Sequence, residues 1–516
     1  MRSSIFWKRP IPYLFGILIA GLAIGILMPL ILSNAPLGRS FLATALVAVI
    51  MLLMLVLAWR MAGGGKKLFW MMLIAFLLRL AVGIFFAWGL PRFGYPEDGQ
   101  LAGYFYSDAF TRDSQAWSLA VTGEPLARAF GGELVSDQYG GLLAMSALVY
   151  RLFSPDAHRP YLILIITAAV SAIGLPFLLS AGNCLLKKKY STIAGWILVF
   201  FPDAVLLGAT QMREPFMITA FIMCFWAVIT WKGTKNRLFR VLAMIVGLVL
   251  MLVISTRSAV LLLAFIFIAL WIEGSQNLSK KWIRVAGWVI LGLVVILLAG
   301  LSWAWLRDVM RWDMLLAYRA SGWIELIFDS TPKWLHAPFL IVYGIFQPVL
   351  PAAIADPAPW IWQVSGIFRG LGWYAMLPFL VYGLIITWKA DDKNRKMMLS
   401  WLIISIWAWI LISSARAGGD QWDNPRYRMM LIPWMSLIAA YVLQWSKDHQ
   451  SRWFWRWVMV EGVFLLFFTH WYIGRYAEIY RPIPFPIMLA LITGISGVVM
   501  LGGWLLDQRR DKGLRN

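Results

Sequence analysis

Apolar runs of about twenty residues, almost free of charge, recur along this chain, and short polar turns separate them. Residues 12–32, 41–59 and 68–90 are the first three. A run of about twenty apolar residues matches a hydrocarbon core of about 30 Å when helical, and a helix satisfies its own backbone amide groups there, whereas a barrel strand would need only about ten residues of alternating character. Composition agrees. Hydrophobic residues make up 61% of the 516 and charged residues 14%, against about 25% charged in a soluble domain. The reading is an all-α, polytopic integral membrane protein.

A net charge of +21 invites a nucleic-acid reading, but the placement of the charge excludes it. Basic residues come as short clusters at alternate ends of apolar runs, as the positive-inside rule demands, where they also suit anionic membrane lipids. Examples are Arg60 with Lys66 and Lys67, Lys187 to Lys189, Lys280 with Lys281 and Arg284, and Lys389 with Lys393. Taken as cytoplasmic, these clusters predict about fourteen spans with both termini inside. Beyond the first three, the predicted spans are 160–186, 192–210, 214–231, 241–255, 259–272, 285–306, 374–388, 398–414, 430–445, 454–474 and 487–506. Residues 141–153 are too few to cross and read as a juxtamembrane helix on the outer face. Cys184 and Cys224 each sit inside an apolar run, which argues against a disulfide framework. The four histidines show no metal-ligand spacing.

With this topology most acidic residues face outward. The segment 91–141 alone holds Glu97, Asp98, Asp108, Asp113, Glu124, Glu133 and Asp137, seven of the chain's 25 acids. Three outer segments could carry chemistry. In the first, 106–123, Asp108 opens a helix-like stretch that Gly123 closes; a carboxylate there can act as general base, and Ser107 or Asp108 can equally serve as N-cap. Asp113 follows five residues on. The second is Gln211-Met-Arg-Glu-Pro-Phe216, where Pro215 opens a helix and Glu214 suits its N-terminal dipole. In the third, 416–428, Arg416, Arg426 and Arg428 run against the positive-inside trend. They read as a phosphate clamp or as an ion-pair network with Asp420 and Asp423. A further outer segment, 307–372, starts polar and then turns apolar and proline-broken (Pro338, Pro348, Pro351, Pro357, Pro359), which suggests partial helices walling a cavity. Arg79 and Asp203 fall midway along outward-going runs, where an ionisable residue is functional by default; the favoured alternative is that the two pair with each other at equal depth.

Several of these features together carry a family resemblance. Ser107-Asp-Ala109, then Ala116 and Gly123 after an outward helix, is similar to the first outer loop of the GT-C membrane glycosyltransferases, such as protein mannosyltransferases and aminoarabinose transferases. Tyr139 through Phe153 resembles their juxtamembrane segment, and Arg213-Glu-Pro-Phe216 their acid–proline turn. The resemblance covers roughly residues 68–272, with an echo at Arg426-Tyr-Arg428. The aromatic common four residues after the family's first-loop acid is Arg112 when counted from Asp108. The register between Asp108 and Asp113 therefore stays open, with Asp108 favoured by its spacing to Gly123.

The resemblance implies a GT-C-like fold in three parts. These are an additional N-terminal hairpin (1–65), a catalytic core (66–275) with its first outer loop at 91–141, and a C-terminal transmembrane region (276–516). It implies an enzyme of a prokaryotic cell membrane, working extracytoplasmically, that moves a hexose or pentose from a polyprenyl-phosphate donor to a glycan, lipid or protein acceptor. Asp108 and Asp113 would be its catalytic acids, and Arg213, Glu214, Tyr139, Arg257, Arg416, Arg426 and Arg428 its substrate-binding residues. The resemblance fixes no cofactor and leaves metal dependence open: Asp108 and Glu214 could share a divalent cation through hard oxygen ligands or act without one. A glycan polymerase or ligase of related fold is the alternative within the class. A lipid or glycan transporter, which would show internal repeats, is the alternative outside it.

Overall fold

In the computed structural model, residues 11–32, 36–131, 140–231, 237–275 and 278–513 are described, and every extended element among them is helical. The helices are α1 Ile11–Leu32, α2 Leu37–Met61, α3 Lys66–Phe93, α4 Asp98–Leu101, α5 Ser107–Thr122, α6 Gly141–Phe153, α7 Tyr161–Leu185, α8 Lys188–Phe200, α9 Pro202–Gly208, α10 Glu214–Ile229, α11 Arg237–Ile254 and α12 Thr256–Ser275. They continue with α13 Lys281–Ala320, α14 Gly322–Ser330, α15 His336–Phe346, α16 Leu350–Ala355, α17 Trp360–Ile386, α18 Lys393–Ala417, α19 Asp423–Arg428, α20 Ile432–Asp448, α21 Trp453–Tyr476 and α22 Phe485–Gly513. Among the described residues twelve helices are long and apolar enough to cross a membrane, in agreement with an integral membrane protein.

Two of the fourteen expected spans differ. The run 192–210 is broken: α8 and α9 meet at an angle of 56°, because Pro202 has no N–H to continue the ladder. The run 214–231 is the sixteen-residue helix α10, about 24 Å long at 1.5 Å per residue, short of a hydrocarbon core. The polar start of the segment 307–372 is helical. It is the far end of the 40-residue α13, after which the prolines divide the chain into α14, α15 and α16 as short pieces. Residues 416–428 likewise are two helix ends, α18 and α19, joined at Gly418 to Trp422.

The chain forms two compact units: one runs to Leu297 and takes in Met429–Ser436, and the other comprises Leu298–Arg428 and Leu437 onward. In the first, α7 is the central helix, packed on α2, α3 and α10, with α10 in turn against α11 and α12. Two hydroxyls bond main-chain carbonyls of α7: Thr167 donates to Ile163 O (2.9 Å), and Thr219 of α10 donates to Val170 O (2.8 Å). Trp434 closes this unit's core against Phe221 and Phe225. Arg79, buried in α3, serves the break between α8 and α9. Its Nη2 donates to Leu198 O (3.0 Å) and its Nη1 to Val199 O (3.2 Å) and Ala75 O (3.1 Å). Leu198 O is the carbonyl that residue 202 would bond in an unbroken helix, so the guanidinium supplies the hydrogen bond that proline cannot. Close passage of Arg79 requires glycine at Gly208, where a Cβ would lie 2.5 Å from Arg79 Cδ. In the second unit α15 packs on α18, and α16 on α17 and α21.

Candidate functional site

The acidic helix α5 begins after an extended Tyr106 with no side-chain cap bond and ends at Gly123, whose φ of 72° gives a left-handed C-cap. Neither Ser107 nor Asp108 is the N-cap; both lie inside the first turn, where Asp108 favours the helix dipole. Ala109, Arg112, Asp113, Ala116 and Leu119 are buried, a spacing of three and four that makes one inward stripe. Asp108 and Asp113, five residues apart, lie about 140° apart around the axis. Asp108 is consequently exposed and Asp113 is buried, 2% accessible.

Three donors hold Asp113. The Tyr150 hydroxyl donates to Oδ1 (2.7 Å), the Tyr104 hydroxyl to Oδ2 (2.6 Å), and His158 Nε2 lies 2.8 Å from Oδ2. Burial, and then the Asp113 charge beside them, push both phenols well above the usual tyrosine range, so they stay protonated and donate. The His158 ring stacks on Trp117 at 5.3 Å and meets Tyr150 edge-on at 5.2 Å. The turn that carries His158 is itself braced. Buried Arg159 makes a two-pronged contact with Asp156 (2.7 and 3.0 Å) and donates to Ser154 Oγ (2.7 Å) and Ser40 Oγ (3.0 Å). The Arg159 bond holds the Asp156 carboxyl down at about 2.

The second expected segment adjoins the first. Arg112 donates to Gln211 O and reaches Met212 Sδ, and Gln211 Nε2 donates to Pro160 O at the head of α7 (3.0 Å). This stitching brings the turn 210–213 against α5. Arg213 follows at the N-cap of α10, its Nε 3.9 Å from Glu214 Oε1, and Glu214 is fully buried in the first turn. Beside them a cavity of about 110 Å³ is lined by Gly83, Ala87, Gly103, Tyr104, Tyr161 and Gln211, among others. Arg257 is exposed in the first turn of α12. Tyr139 lies outside the described residues.

The three remaining arginines lie in the second unit and are engaged there. Arg428, fully buried, stacks on Trp373 at 3.3 Å and donates to Gln347 O and Ile345 O. Arg426 pairs with Asp423 (3.1 Å), the ion-pair alternative raised above, and Arg416 lies over the Tyr427 ring at 4.0 Å. Among the described residues no three or more His, Cys, Asp or Glu side chains come together as a metal site.

Sequence reasoning missed Tyr104, Tyr150 and His158. One signal pointed to them. Counted from Asp113, the fourth residue is Trp117, the aromatic that the favoured register on Asp108 lacks, and Trp117 is the ring on which His158 stacks. Compared with known protein families, curated proteins and solved structures, the chain finds no match.

Proposed function

We propose that this protein is a glycosyltransferase that moves a sugar from a polyprenyl-phosphate donor to an acceptor hydroxyl on the extracytoplasmic side of the membrane. The observation that carries the reading is the meeting of two carboxylate-bearing segments. The helix with Asp108 and Asp113 is tied through Arg112 to the turn that precedes Glu214, with the thirteen-residue amphipathic helix α6 packed on it. A lipid-linked donor suits a chain whose helices are embedded in lipid, and its phosphate calls for guanidinium donors. Because Arg426 and Arg428 are tied up in their own unit, the phosphate is assigned to Arg213 and Arg257. The acceptor proton is assigned to a base on or beside α5.

The test uses the purified full-length chain in lipid vesicles with radiolabelled polyprenyl-phosphate hexoses and pentoses. Protein-dependent release of polyprenyl phosphate, stimulated by a glycan, lipid or protein acceptor, is the expected result. Movement of the intact labelled lipid between leaflets without cleavage of its sugar–phosphate bond would identify a transporter instead.

A further inference from the structure

Asp113 is poorly placed to meet a substrate. It is buried, and two phenols and an imidazole occupy three of the roughly four acceptor positions a carboxylate offers. His158 is placed otherwise. Its side chain is 28% exposed, and its Nε2 is committed to Asp113. Its Nδ1 has no hydrogen-bond partner among the described residues. Trp117 lies flat against one side of the ring and Tyr150 stands at its edge, which fixes the ring plane. Arg159, next in sequence, locks the turn to Asp156, Ser154 and Ser40. A buried charge held by so many donors costs desolvation that an apolar packing would avoid. What the arrangement provides is an imidazole of one tautomer in one orientation, with a carboxylate behind it.

We infer that His158, oriented by Asp113, is the proton-accepting group of this site. This rests on the glycosyl-transfer reading for its substrate, an acceptor hydroxyl. With Nε2–H donating to Asp113, the Nδ1 lone pair takes the hydroxyl proton as the acceptor oxygen attacks the anomeric carbon. The O–H bond breaks and N–H forms, while the sugar–phosphate C–O bond breaks and its electron pair leaves on the lipid phosphate. Asp113 stabilises the imidazolium. The proton then passes to the departing phosphate or to water. Tyr104 and Tyr150 are positioning residues that hold Asp113.

Two measurements on the full-length protein test this. In the transfer assay, His158→Ala should lose about a hundredfold or more in kcat with little change in the donor's KM, and added imidazole should restore part of the loss, which it would not do for a side chain that only supports the fold. A variant that keeps more than about a tenth of wild-type kcat overturns the inference, as does the pattern in which Asp108→Asn is inactive and His158→Ala is not. The second measurement needs no turnover. Diethyl pyrocarbonate followed by peptide mass spectrometry should modify His158 at a rate comparable with exposed His449. A His158 that resists while His449 reacts overturns the inference even if the chain transfers sugar. A wild-type chain that transfers none overturns the glycosyltransferase reading alone, and the labelling result still decides whether His158 offers an open nitrogen.

Discussion

Arg428 uses its planar fork on two main-chain carbonyls and its face on Trp373. A lysine keeps the charge but can neither span both acceptors nor stack as well. Arg428→Lys should therefore cost about 2–3 kcal/mol, read as a lower melting temperature of the detergent-solubilised protein. Asp156 has a different signature. Its carboxyl is depressed from 3.8 to about 2 by the bond from Arg159, so its contribution is fully present above about pH 4 and disappears as pH falls through about 2. Asp156→Asn should lower the melting temperature by about 1–2 °C at neutral pH, the small effect expected of a solvent-screened pair, and the gap between the two proteins should close as the medium is acidified towards pH 2. The two candidate acids of α5 illustrate what the sequence alone could not decide. Both are aspartates in one short stretch, and only the phase of the helix separates the exposed one from the buried one. His158 lies 45 residues from Asp113, a separation over which no local pattern announces contact.

At the level of single helices, the apolar runs were legible because the bilayer leaves the backbone so few options. Thus 141–153 was expected as one short helix and is found with those bounds, as α6. Over 192–210 hydropathy averages across Pro202 and registers length, not hydrogen bonding, so the run predicts one span where the chain forms two helices bent by 56°. After Leu306 the charged residues predict an outer segment beyond the end of a span, yet the helix continues to Ala320. The break between α8 and α9 invites a paired substitution. Arg79→Leu removes the donors to Leu198 O and Val199 O and should cost about 3 kcal/mol, the order expected when buried carbonyls lose their partners. Pro202→Ala restores an N–H for Leu198 O. In that background Arg79→Leu should cost measurably less, and a double-mutant cycle on melting temperatures reads the difference. Strictly additive losses would mean that Arg79 stabilises the chain through something other than this break.

For the whole molecule, the arrangement of basic clusters makes an orientation prediction that needs no enzymology. A cysteine introduced at Asp156 should react with an impermeant maleimide from outside intact cells, and one at Lys188 only after permeabilisation. The reverse pattern would place the α5 carboxylates in the cytoplasm, where soluble nucleotide sugars abound and a lipid-linked donor loses its rationale. Helical class and membrane residence follow from composition and run length. The coming together of α5, the turn 210–213 and the head of α7 does not, since it depends on Arg112 reaching Gln211 across 99 residues and Gln211 reaching Pro160 across 51. The Arg79 hydrogen bonds constrain how this part of the fold can move. Since an arginine of α3 completes the hydrogen bonding of the α8–α9 bend, α3 cannot slide past that bend without leaving carbonyls bare in a medium that offers no substitute. The two must travel as one body, and any larger motion of this part of the fold has to be sought in the segments that arginine does not hold.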